Sequence, residues 1–257
     1  MKRKAILILI FIFLFTKFCL GEDWKELRSL HFIIYYKDTS RDFLYKLRKF
    51  AEDYYREILE DLGFRRSEFW TWENRAKIYV FDSSQDYIQS TNMASWSGAS
   101  VDYYNKIINT YPDAPEFFEN VLVHELTHII FREYVGFGSN VPLWLDEGVA
   151  TFMEKKKKVY LLKRQLIQLN RTDSLLSLKE LMGISRVTAF SQEQAGAFYI
   201  QSFSLIYFLI NKFGKDYFAK FCYALKQGRS LEKSLSFAYD IRTLDDLESK
   251  WRSYFFD

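Results

Sequence analysis

The sequence predicts an α+β protein: a small mixed N-terminal sheet with helices, then a mostly helical C-terminal lobe, with a cleft between them. Three observations carry this. Runs rich in β-branched and aromatic residues, HFIIYY at 31–36 and AKIYVF at 76–81, lie in the first half. From Pro115 onward, apolar residues recur at helical spacing. The chain has 257 residues, 49% of them hydrophobic, enough for one good core and short for two full domains. With 27% charged residues and strong periodicity, the chain reads as folded. Its 19% aromatic content suits a bulky core.

Residues 1–21 are of a different kind. Lys2, Arg3 and Lys4 precede an unbroken apolar run of 11 residues, Ala5 to Phe15. A bilayer-spanning helix needs about 20, and Lys17 interrupts this run. The pattern predicts a signal peptide cut after Gly21, with a domain over 22–257 that is secreted or held in the cell envelope or periplasm. An uncleaved anchor is the alternative. A lipidated Cys19 fits less well, because Thr16 and Phe18 precede it. Without this segment, 32 basic residues face 33 acidic ones, so no global charge points to nucleic acid. Cys222 is then alone and has no disulfide partner within the chain.

The elements follow in order. His31–Tyr36 reads as a strand. Asp38–Leu62 reads as a helix stopped by Gly63. Ala76–Phe81 is a second strand, after which Asp82, Ser83 and Ser84 cap a short helix through Ser90. Ser95–Tyr111 suggests a hairpin whose second arm, Lys106–Tyr111, could pair with an extended peptide. Ala114–Tyr134 reads as one helix, Leu143 to Lys163 or beyond as another, and Glu193–Phe213 as a third. Two or three shorter helices run to Trp251.

The chemistry lies in residues 124–128, HELTH. On a helix, positions i and i+4 share a face, so His124 and His128 can offer nitrogens to one ion. Glu125 lies beside that face, placed to take a proton from an activated water. The flanks are apolar, and a charged cluster in a buried helix is costly unless something coordinates it. Five-residue motifs do occur by chance, but this chain has three histidines and the motif uses two. A third ligand is available. Glu147 follows His128 after 18 intervening residues, room for a helix end, a glycine-containing turn and a returning helix. Two histidines and a glutamate form a known catalytic zinc set.

HELTH, this gap and Trp144-Leu-Asp-Glu-Gly148 resemble the gluzincin zinc metallopeptidases, including aminopeptidase-N-like enzymes. The closer likeness is to the short bacterial peptidase MA-like domain, and it extends through Ala197–Leu209 and Leu244–Trp251. The resemblance implies a zincin-like fold, a Zn²⁺ cofactor on His124, His128 and Glu147, and hydrolysis of a peptide or protein substrate. It aligns Tyr199 with a tyrosine that donates to the developing oxyanion. Tyr199 also fits as one of 18 tyrosines packing in a helix. A catalytically inactive, zinc-stabilised binding domain of the same fold is the alternative function. The G-x-M-E-N segment of aminopeptidase-N-like enzymes has no counterpart glutamate in Ser90–Gly98, STNMASWSG, which favours an endopeptidase.

Thr151 and Glu154 lie at +4 and +7 from Glu147, where either could hold the second nitrogen of a zinc histidine or be plain helix residues. His31, on an apolar strand, reads as structural. Lys155–Lys158 reads as a solvated helix face, with weak membrane-surface contact as the alternative. No Gly-rich phosphate loop or Ser-centred nucleophile elbow is present. The sequence leaves the oligomeric state open.

Overall fold

The computed structural model describes residues 24–65, 70–93, 98–155, 159–188 and 190–257. The predicted signal segment, Lys156–Lys158 and part of Ser90–Gly98 lie outside the described residues. So do the expectations that rest on them.

The first half builds one five-stranded sheet from β1 (Lys25–Arg28), β2 (Phe32–Tyr36), β3 (Ala76–Val80), β4 (Ala99–Asp102) and β5 (Ile107–Thr110). Their order is β1-β2-β3-β5-β4. The central pairs β2/β3 and β3/β5 are parallel, and both outer pairs are antiparallel. In β3 the alternation of buried Ala76, Ile78 and Val80 with half-buried Lys77 and Tyr79 places one face on the core. The other face carries aromatic contacts, with Tyr35 stacked on Tyr79 at 4.6 Å. β5 is therefore interior. The arm expected at Lys106–Tyr111 is already paired on both sides, and the outer strand beside it is β4.

Helix α1 (Arg41–Asp61) starts three residues later than expected, because the Ser40 hydroxyl caps it by accepting from the Phe43 N–H. It buries Leu44, Leu47, Ala51, Tyr55 and Ile58. α2 (Ser84–Thr91) begins at its Ser83 cap. The stretch expected as a single helix from Ala114 divides. Glu116 takes a left-handed conformation, φ +50°, and Phe117–Val121 forms a π-helical turn before α3 (Leu122–Val135). The Phe118 carbonyl of that turn accepts from the Tyr54 hydroxyl at 2.6 Å. α4 (Leu143–Lys155) and α5 (Val159–Arg171) cover the stretch expected as helix from Leu143, with residues 156–158 between them outside the described residues.

α6 (Leu178–Gly183) follows, started by a Ser177/Glu180 capping box at its N-terminus. α7 (Gln192–Phe213), α8 (Lys215–Lys226), α9 (Leu231–Tyr239) and α10 (Leu244–Phe256) complete the helical half. Their core includes Phe203, Phe208, Phe218, Phe221 and Trp251. Cys222 is fully buried there, and burial pushes its thiol pKa well up.

His31 is structural, as expected. Its Nδ1 pairs with Glu52 at 2.6 Å and its ring stacks on Tyr55. No helix among the described residues is long and apolar enough to cross a membrane.

Candidate metal centre

α3 carries HELTH and α4 carries WLDEG. The turn between them lets α4 return against α3 and bring Glu147 to the histidines. The Nε2 atoms of His124 and His128 are 3.2 Å apart. Glu147 Oε2 lies 3.6 Å from the first and 3.7 Å from the second. Three ligands on a tetrahedral zinc, each at about 2.0–2.1 Å, sit about 3.3 Å from one another. The observed triangle is close to that size, and its two imidazoles and carboxylate are the donor types zinc takes.

Each outward-facing imidazole nitrogen has its own carboxylate. His128 Nδ1 meets Asp146 Oδ1 at 3.0 Å. Asp146 Oδ2 in turn accepts from Arg132 Nε at 2.9 Å and pairs with Nη2 at 2.8 Å. His124 Nδ1 meets Glu154 Oε2 at 3.1 Å. Such partners fix ring orientation and raise ligand basicity. Glu154 thus takes one of the places foreseen for it. Thr151 does not: its buried Oγ1 has no hydrogen-bond partner. Asp146 and Arg132 were missed. Arg132 is one helical turn from His128, a usable clue, but no spacing rule links Asp146 to the ring it holds.

The electrostatics favour a cation. Burial opposes charge on His128, yet hydrogen bonds to Asp146 and Glu147 outweigh it and raise the imidazole to about 10. His124 is raised against the same burial by Glu147 and Glu154. Burial resists ionisation of Glu147, but both histidines bring its carboxyl down to about 2. The carboxylates make a hub that holds positive charge, and a divalent ion between the three atoms of His124, His128 and Glu147 would satisfy it.

Two phenols approach this hub. Tyr103, on the connection between β4 and β5, donates from its hydroxyl to Glu125 Oε2 at 3.1 Å, and its ring lies 5.3 Å from that of His128. Burial and the Glu125 carboxylate both raise its pKa. Sequence reading passed over Tyr103, because no periodicity relates a turn residue to a helix packed against it. Tyr199, on α7, is half-buried. Burial, then Glu147, Glu125 and Glu154, push its pKa up to about 12.

Gly148 explains the tight return of α4. A Cβ there would lie 2.7 Å from the Ser202 carbonyl oxygen of α7, so only glycine lets the helices approach this closely. That approach fixes Glu147, its neighbour in the chain.

The family model of the Peptidase MA superfamily matches residues 71–257. The chain belongs to the Peptidase MA superfamily. β1, β2 and α1 precede the matched region, which takes in β3 and everything after it. Peptidase MA members are usually zinc-dependent, and the triad of His124, His128 and Glu147 has the donor set that dependence requires. No curated protein matches the chain.

Proposed function

We propose that this Peptidase MA protein is a zinc metallopeptidase, and an endopeptidase. The observation that supports it most is the three-atom triangle of His124, His128 and Glu147 with Glu125 held beside it by Tyr103. Zinc bound there supplies Lewis-acid chemistry, activating a water and polarising a peptide carbonyl. Glu125 is not a member of the ligand triangle. It accepts the proton of the attacking water and passes it to the leaving amine. Tyr103 holds one carboxylate oxygen, Oε2, and so sets the direction in which the other faces. Tyr199, whose burial favours the neutral phenol, donates to the developing oxyanion.

The endopeptidase reading rests on Ser90–Gly98, which holds no acidic residue to catch a substrate amino terminus. The basic start and apolar run of residues 1–21 support export from the cytoplasm. The outer strand β4 leads directly into Tyr103, so an extended substrate pairing along it would arrive at the hub.

Glu125→Gln tests the reading. Zinc content, measured by elemental analysis, and melting temperature should stay at wild-type values, while peptide turnover falls about 10³-fold or more. Wild-type protein that holds zinc yet cleaves nothing across a broad peptide library would favour the binding domain. A Glu125→Gln variant as active as wild type would exclude this proton route.

A further inference from the structure

Beside the hub, on the His124 side, lies a cavity of about 490 Å³. Its walls are His124 of α3, Thr151 and Glu154 of α4, Leu161, Leu162 and Gln165 of α5, and Gly196, Tyr199 and Ile200 of α7. The size falls in the range of about 300–1,000 Å³ usual for ligand pockets. Two of its wall residues belong to the hub, so whatever fills it adjoins the reacting bond.

Two details show that the space is built. Leu161 is 55% exposed, an apolar side chain left at the mouth instead of in the core. Gly196 stands in the interior of α7, where glycine is a poor helix former. Packing does not require it: a Cβ there would meet no atom within 4 Å. The contrast with Gly148 is direct, since that glycine is forced by a backbone 2.7 Å away. The other described glycines with open space around them, at 138, 183, 214 and 228, lie at helix ends or in turns. Gly196 precedes Tyr199 and Ile200 by three and four residues, so all three share one helix face. Its missing side chain is space added to the cavity.

We infer that this cavity, deepened by Gly196, is the specificity subsite and receives a large aliphatic side chain, of leucine or methionine size, flanking the scissile bond. The inference rests on the peptidase reading for the identity of its occupant. Leucine, isoleucine and tyrosine walls offer apolar contact that outweighs the polar Thr151 and Gln165, and Glu154, already engaged with His124, disfavours an acidic side chain.

The test measures binding, so that it stands apart from turnover. Two peptide hydroxamates, one with an isobutyl and one with a methyl side chain next to the chelating group, are titrated calorimetrically into the zinc-loaded protein. Three extra buried carbons should make the isobutyl compound bind about 50-fold more tightly. Gly196→Leu, which favours the helix, should reduce that preference to about threefold or less, with Gly196→Ala intermediate. Equal affinities in wild type overturn the inference, as does a preference that survives Gly196→Leu. If the protein prefers isobutyl and loses that preference in Gly196→Leu yet cleaves no peptide, the subsite stands and the peptidase reading falls. Cleavage with no difference between the compounds has the opposite consequence.

Discussion

The two histidines of the candidate metal centre share one helix face and one hub, yet they lie against very different walls. His128 is 3% exposed, and behind it Asp146 and Arg132 form a closed ion pair within α3 and α4. His124 is backed by Glu154, and beyond it a cavity opens between α4, α5 and α7. The same ligand chemistry is thus held rigidly on one side and left accessible on the other. A site that must keep its geometry while admitting substrate needs both. Substitutions on the closed wall should cost stability, and those on the open wall should cost turnover.

Tyr199→Phe gives the largest effect on the open side. Loss of one oxyanion donor should lower kcat about 10²-fold, with the melting temperature unchanged. A fall in melting temperature matching the loss of activity would make Tyr199 a packing residue. On the closed side, Asp146→Ala strands Arg132 and His128. It should destabilise the protein by about 2–3 kcal/mol in urea unfolding, less than the roughly 3–5 kcal/mol of a fully buried pair because Arg132 is partly exposed. Glu154→Ala should cost less stability than Asp146→Ala and weaken zinc binding about tenfold. Equal destabilisation by the two would erase the distinction between the walls. Gly148→Ala should cost about 1–3 kcal/mol by overpacking α4 on α7 and weaken zinc binding by displacing Glu147. The smallest effect is in protons. His128, raised to about 10, carries one at pH 7 in metal-free protein and must lose it to become a ligand. Zinc uptake at pH 7 should release about one proton or more, and affinity should rise with pH towards 10. Heats of binding that do not vary with the buffer's ionisation enthalpy would contradict this.

Local pattern and tertiary arrangement divide what the sequence makes legible. β2, β3, α1 and α7 are readable because each has a period and a stop: HFIIYY, AKIYVF, and apolar runs closed by Gly63 and Gly214. β1 is not readable. KELR is charged and mostly exposed, and it is a strand only because β2 pairs with it. α6 could have been found from Ser177 and Glu180, whose three-residue spacing is a capping signal. At the hub, His124, His128 and Glu147 follow helix spacing and one turn, and Glu154 follows from the face of α4. Asp146 and Tyr103 depend on how α4 and the β4–β5 connection lie against α3, which no local spacing encodes.

Cys222 turns the packing of the helical half into a clock. The thiol is fully enclosed on α8, and its raised pKa keeps it from the thiolate form that thiol reagents attack. Beyond residues 1–21 the chain has no other cysteine. In a chain lacking residues 1–21, a disulfide-exchange reagent can therefore react only when α8 lifts from its neighbours. The rate of that reaction counts openings, one molecule at a time, without any label having to be introduced. An oxidising medium would read the same clock: it registers the sulfur at the frequency of opening, so the tightness of this half sets how long the chain stays free of mixed disulfides.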